Sequence, residues 1–139
     1  MVVWNSKYET GNKQVDSEHQ EIFKRVQSVL DAAASNEDIK IEDTIDFLAG
    51  YTVDHFQHEE RLMEESGYPE TDLHKKQHED FVQEVLALRE RVKNEADQEK
   101  NSQDVMIVIV NWLIDHVLNS DCMMANHYRK WAAPPAAEN

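Results

Sequence analysis

Residues 52–78 read TVDHFQHEERLMEESGYPETDLHKKQH, and the rest of the chain is organised around them. The stretch carries His55-x-x-x-Glu59, then Gly67-Tyr68-Pro69, then His74-x-x-x-His78. Residues four apart on an α-helix differ by about 40° of rotation, so each pair projects from one face, a turn apart. Two helices joined by so tight a turn run antiparallel, which carries the two pairs toward each other. Three imidazoles and a carboxylate converging inside a bundle are poorly explained as packing. They are well explained as metal ligands.

The same inward period extends outward from this stretch. One helix is expected over 41–66, with Ile45, Leu48, Thr52, His55, Glu59 and Leu62 facing in and Gly67 stopping it. A carboxylate on that buried stripe, Glu59, is expensive unless it is paired or bound to a cation. Glu60, Glu64 and Glu65 point elsewhere and read as a solvated face, and His58 reads as a surface residue. The next helix is expected over 70–93, with acidic Glu70 and Asp72 at its start. Its stripe of His74, His78, Phe81, Val85, Leu88 and Val92 opens on two histidines and then turns apolar.

Upstream, Asp16 is a candidate N-cap for a helix over 17–34, with Ile22, Phe23, Val26 and Leu30 inward and a turn at Ser35-Asn36-Glu37-Asp38. His19 shares that stripe, and taken alone it reads as a buried histidine satisfied by hydrogen bonds. Before it lies an arm, 1–15, whose Trp4 is expected to pack across the bundle. Downstream, 94–101 is a polar connection to a helix over 102–119 bearing Val105, Ile109, Trp112, Leu113 and His116. Asp121 sits five residues past His116, about 140° off that face on a regular helix. It can join His116 only if the helix ends, tightens or bulges near Asn119-Ser120. A short helical segment follows 121, and 132–139 is a flexible tail. The fold class is all-α, an up-down-up-down four-helix bundle with an N-terminal arm, forming one domain over 1–131.

Composition agrees. The chain has 139 residues, three glycines and three prolines, which favours long helices over a sheet with many turns. A net charge of -14 argues against nucleic acid and anionic membranes as partners. One cysteine, Cys122, allows no internal disulfide. The start, MVVWNSKYETGNK, lacks the pattern of a signal peptide, and the longest apolar run, Val105 to Val110, is too short to cross a bilayer. These features point to a cytoplasmic protein.

Together, His19, His55, Glu59, His74, His78, His116 and Asp121 put a nitrogen or carboxylate ligand on all four helices. Seven ligands are too many for one tetrahedral zinc. Five imidazoles and two carboxylates suit a pair of first-row metals, with the carboxylates as bridges.

The spacing of these motifs resembles that of bacterial hemerythrins. The matching motifs are Trp4-x-x-x-Tyr8-x-x-Gly11, Asp16-Ser17-Glu18-His19-Gln20 and His55-Phe56-x-x-Glu59-Glu60. Gly67-Tyr68-Pro69, His74-Lys75-x-x-His78 and Trp112-Leu113-x-x-His116-Val117-x-x-x-Asp121 complete the set. The resemblance runs from Trp4 to about Trp131. It implies a non-haem di-iron centre with an oxo or hydroxo bridge. His74, His78 and His116 would hold one iron, His19 and His55 the other, and Glu59 and Asp121 would bridge. The first iron is then closed, and the second keeps one position for dioxygen. Phe56, Trp112, Leu113, Ile114 and Val117 are expected to line the pocket there and exclude water. Cys122 departs from the pattern, since related sequences often have lysine after the bridging aspartate.

The function implied is reversible dioxygen binding for storage, delivery or buffering, without catalysis. Competing readings are an oxygen or redox sensor acting through a partner, a di-iron oxidase or peroxidase, and a bundle with a purely structural metal. Oxygen-activating carboxylate bundles use Glu-x-x-His pairs, and none serves here as an inward pair.

Overall fold

Asn12, rather than the expected Asp16, opens the first helix. The computed structural model describes residues 2–34 and 41–134. In it α1 spans Lys13–Ala34, and the Asn12 side chain accepts from the Val15 N–H at 3.1 Å, the bond of an N-cap. Asp16 lies inside the first turn and ties down the arm instead. Its carboxylate accepts from the Thr10 N–H and hydroxyl, both at 2.8 Å. The turn expected at Ser35–Asp38 lies outside the described residues.

α2 spans Ile41–Ser66 and α3 spans Thr71–Asn94, close to the expected bounds. Between them Gly67 takes φ +65°, where a Cβ would be strained. The Tyr68 N–H reaches back to the Met63 carbonyl and the Gly67 N–H to that of Glu64, which satisfies two of the last carbonyls of α2. Three residues then separate α3 from α4, fewer than the polar connection over 94–101 suggested. Asp97 caps α4, accepting from the Glu99 and Lys100 N–H groups.

α4 is the main departure from expectation. It is one helix, Gln98–Ala132, where a helix over 102–119 and a separate segment after 121 were expected. Two π-helical turns, Met106–Val110 and Val117–Asp121, let it continue without ending. By length and composition this 35-residue helix would suffice to cross a membrane, which the short apolar run had argued against. Its apolar residues Val105, Ile109, Val110, Leu113 and Val117 are nevertheless buried in the bundle core.

Cross-helix contacts set the topology. Glu18 meets His55 and Arg25 meets Tyr51, so α1 and α2 are antiparallel. Glu64 pairs with Lys75 and Asp46 with Arg89 between α2 and α3, and Gln77 with Ser120 and Phe81 with Trp112 between α3 and α4. α1 packs against both α2 and the first part of α4, closing the ring of an all-α four-helix bundle.

The core has two apolar layers. The larger includes Ile22, Phe23, Val26, Ile45, Leu48, Val85, Leu88 and Ile109. The smaller is Val15, Leu62, Met63 and Met124, with Tyr68 and Tyr128 against it. Between them lies a polar layer. Leu30, expected inward, is only partly buried, because Val29 takes the core position. The arm runs from α1 toward the far part of α4, where the Cys122 thiol faces the Glu9 carbonyl. Trp4 lies over α1, edge-on to Phe23 at 5.2 Å, with buried Tyr8 beside it.

Candidate metal centre

Seven side chains form the polar layer, and all are buried: His19, His55, Glu59, His74, His78, His116 and Asp121. Helix periodicity delivers five of them as pairs or singly from α1, α2 and α3. Asp121 arrives by way of the second π turn, whose i→i+5 spacing brings it back beneath His116. The His116 Nε2 to Asp121 Oδ1 distance is 3.0 Å. The five-residue offset is thus resolved by a bulge within a continuous helix.

The ligand atoms sort into two groups. Glu59, His74, His78, His116 and Asp121 make one, and His19, His55, Glu59 and Asp121 the other, with the atoms of each group within 4.8 Å of one another. Both carboxylates belong to both groups, and each divides its oxygens between them. Glu59 Oε1 lies 3.1 Å from His78 Nε2 and 3.7 Å from His74 Nε2, and its Oε2 lies 3.3 Å from His55 Nε2. Asp121 Oδ1 lies 3.1 Å from His74 Nε2, and its Oδ2 lies 2.9 Å from His19 Nε2.

These contacts do not satisfy the atoms that make them. Both Glu59 oxygens, Asp121 Oδ1, His19 Nε2 and His55 Nε2 are buried without a hydrogen-bond partner. His116 Nε2 lies 3.1 Å from His74 Nε2 and 3.2 Å from His78 Nε2, an approach of like groups that packing does not call for. Each unpaired buried polar atom costs about 1–3 kcal/mol. The donor set fits two cations, each meeting imidazole Nε2 atoms and one oxygen from each of two shared carboxylates.

The two buried carboxylates favour the protonated form of His19, His55 and His74. Burial pulls His55 down, but the Glu59 charge and the Glu18 hydrogen bond outweigh it and push the ring up to about 10. Burial likewise opposes a rise of His74 to about 9, driven by Asp121 and Glu59. Burial would raise Glu59 and Asp121, yet the surrounding histidines hold both well below the usual carboxylate range. His78 is lowered, mainly by burial.

Two neighbours escaped the sequence reading. Glu18 Oε1 accepts from His55 Nδ1 at 2.9 Å and from His58 Nδ1 at 2.8 Å. His58 is therefore half-buried and tethered, not the free surface residue expected. The signal available was its three-residue spacing from His55, which turns both rings toward α1.

The expected pocket residues divide. Phe56 stacks on His78 at 3.8 Å and Trp112 on His116 at 4.2 Å, so both cover the three-histidine group rather than the two-histidine group. Leu113 and Val117 are buried in the larger core and Ile114 is partly buried against it. A groove of about 370 Å³ between α2 and α3 reaches Phe56 and His78. On the other side, Trp4 lies 6.2 Å from His19. Cys122 is half-buried, and burial pushes its thiol up, with the Asp121 and Asp16 charges adding to the rise.

A four-helix bundle with two carboxylate-sharing ligand groups across its middle defines a dinuclear metal-binding bundle. The family model for the hemerythrin HHE cation binding domain matches residues 10–126, and the chain belongs to that family. It is 32% identical over 120 residues to a bacteriohemerythrin of Pseudomonas aeruginosa, covering 86% of this chain and 76% of that one. A bacteriohemerythrin of Stenotrophomonas maltophilia is 30% identical over 129 residues, or 93% of this chain and 82% of that one. A myohemerythrin of Theromyzon tessulatum is 28% identical over 118 residues, covering 85% and 86%.

Proposed function

We propose that this protein binds dioxygen reversibly at a non-haem di-iron centre, as an oxygen store, carrier or buffer and not as an enzyme. The observation that carries the reading is the division of the Glu59 and Asp121 oxygens between two histidine groups of unequal size. His74, His78 and His116 would hold one iron and His19 and His55 the other, with Glu59 and Asp121 shared between them. When bound, the iron pair would supply the two electrons that dioxygen takes up.

The chain's own residues do the rest. Glu59 and Asp121 offset the cations' charge inside an apolar bundle. Glu18 fixes the His55 ring through Nδ1, which leaves Nε2 to face the metal. The apolar layers above and below exclude water, which slows loss of bound oxygen as peroxide. Glu59 and Asp121 are held ionised by the surrounding histidines, so neither carboxylate is a ready proton donor to bound oxygen. The functional unit is residues 1–131, working in the cytoplasm with dioxygen as its ligand, and with neither nucleic acid nor membrane as a partner.

Anaerobic titration of the metal-free protein with ferrous iron tests this reading. Saturation at two irons per chain, one for each ligand group, followed by reversible uptake of dioxygen, is expected. Saturation at a single iron contradicts it.

A further inference from the structure

The rings that touch the three-histidine group differ in one chemical respect. Phe56 lies flat on His78, 3.8 Å away and 4° from parallel. Trp112 lies flat on His116, 4.2 Å away and 14° from parallel, and it also stacks on Phe81 at 4.1 Å. A phenyl ring is hard to oxidise, whereas an indole is among the most easily oxidised side chains. Among the described residues, only Trp112 therefore joins face-on contact with a candidate ligand imidazole to the ability to give up an electron. It is also half-buried, while His116 and Phe81 are buried. The residue's partial exposure gives a proton a way out as the electron leaves.

Other oxidisable groups are placed less well. Trp4 is tilted 47° from His19 with its centroid 6.2 Å away. Tyr8 is buried behind Trp4 and Phe23. Cys122 turns its sulfur toward the Glu9 carbonyl at 4.0 Å, away from the rings.

We propose that Trp112 is an electron donor to the metal centre through the stacked His116 ring, and the residue that is modified when hydrogen peroxide oxidises the centre. The inference rests on the di-iron reading above. Peroxide needs two electrons and two protons to become two waters. One electron comes from an iron and one from the Trp112 indole. The indole N–H supplies one proton and solvent the other, and the neutral indolyl radical adds dioxygen. The resulting peroxyl radical takes one electron from the second ferrous ion and one proton from solvent to become a hydroperoxide adduct. Packing alone would also place a tryptophan against a buried histidine, but it would not direct oxidation to that ring.

The test treats the iron-loaded protein with a few equivalents of hydrogen peroxide. Freeze-quench EPR reads the radical, and peptide mass mapping reads oxygen adducts at each Trp, Tyr, Met and Cys. Adducts concentrated on Trp112, absent when the metal-free protein receives the same peroxide, are expected. Trp112→Phe keeps a ring on His116 and should lose the radical signal, whereas Trp4→Phe should keep it. Adducts concentrated on Trp4 or Cys122, equal labelling without iron, or a radical that survives Trp112→Phe overturns the inference. Iron content and oxygen-dependent absorbance are read on the same samples. A wild type that takes up no iron removes the proposed function and this role with it. One that loads and oxygenates normally but is modified elsewhere removes this role alone. Mapping on the wild type decides the matter even if Trp112→Phe does not fold.

Discussion

The two sides of the polar layer are held in place by different physics. On the three-histidine side, rings hold rings. Phe56 covers His78, Trp112 covers His116, and His74 meets both partner imidazoles edge-on. On the two-histidine side a hydrogen-bond tether does the work, running from His55 to Glu18 to His58, with two half-buried members. His19 Nδ1 has no hydrogen-bond partner there. Stacking immobilises a ligand and dries its surroundings. A polar tether orients a ligand through its Nδ1 and keeps part of the supporting network in contact with solvent. Under the proposed function, the closed iron would sit on the first side and the open one on the second.

The largest effects should come from the groups common to both sides. Glu59→Ala removes a bridge and a neutralising charge from both ligand groups, so iron per chain should fall close to zero. Retention of both irons in the purified variant would break the two-sided description. Removing the metal should lower the melting temperature, because the buried polar atoms it satisfies are left unpaired.

Acidity should act in opposite directions on the metal-free and metal-bound forms. In the metal-free protein, His55 and His74 are raised from 6.5 to about 10 and about 9. Their contribution to stability is complete below 6.5 and is lost as pH rises through those values. Glu59 and Asp121 are depressed, so their contribution is present above the ordinary carboxylate range and is lost as pH falls below it. Melting of the metal-free protein should therefore move to lower temperature as pH climbs from about 6.5 to 10. Metal binding needs neutral imidazole, so affinity should rise over the same interval. Proton release on metal uptake, followed with an indicator dye, should be larger near neutrality than above pH 10.

Smaller effects sharpen the contrast between stacking and tethering. Glu18→Ala frees His55 Nδ1 and should weaken metal affinity by about 10–100-fold, the usual effect of losing such a partner. His58→Ala removes only the outer link and should cost a fraction of that. An equal loss in both variants would make His58 a direct participant. Far from the site, Gly67→Ala forces a Cβ into a left-handed turn and should cost about 1 kcal/mol in urea unfolding, with iron content unchanged.

How much could be read from sequence follows the same physics. Ligands spaced by four on regular helices, His55 with Glu59 and His74 with His78, were legible because helix rotation fixes their direction. Asp121 was legible only as a conditional, since local sequence does not announce a π turn. It is the pull of His116 and His19 on a buried carboxylate that makes the bulge worthwhile. The same bulge explains why α4 was expected in two pieces. Asp16 has the chemistry of an N-cap, but the arm's Thr10 and Gly11 amides compete for it, and Asn12 takes the role. Glu18 and His58 were passed over because their roles depend on a contact between α1 and α2, forty residues apart in the chain.

The most direct measurement of the central claim is gas recovery from a single sample. The diferrous protein should be nearly colourless, should turn pink in air, and should lose the colour on degassing. The gas recovered should amount to about one dioxygen per iron pair, as one open position requires. Conversion to the diferric protein with hydrogen peroxide released and no dioxygen recovered would contradict the account.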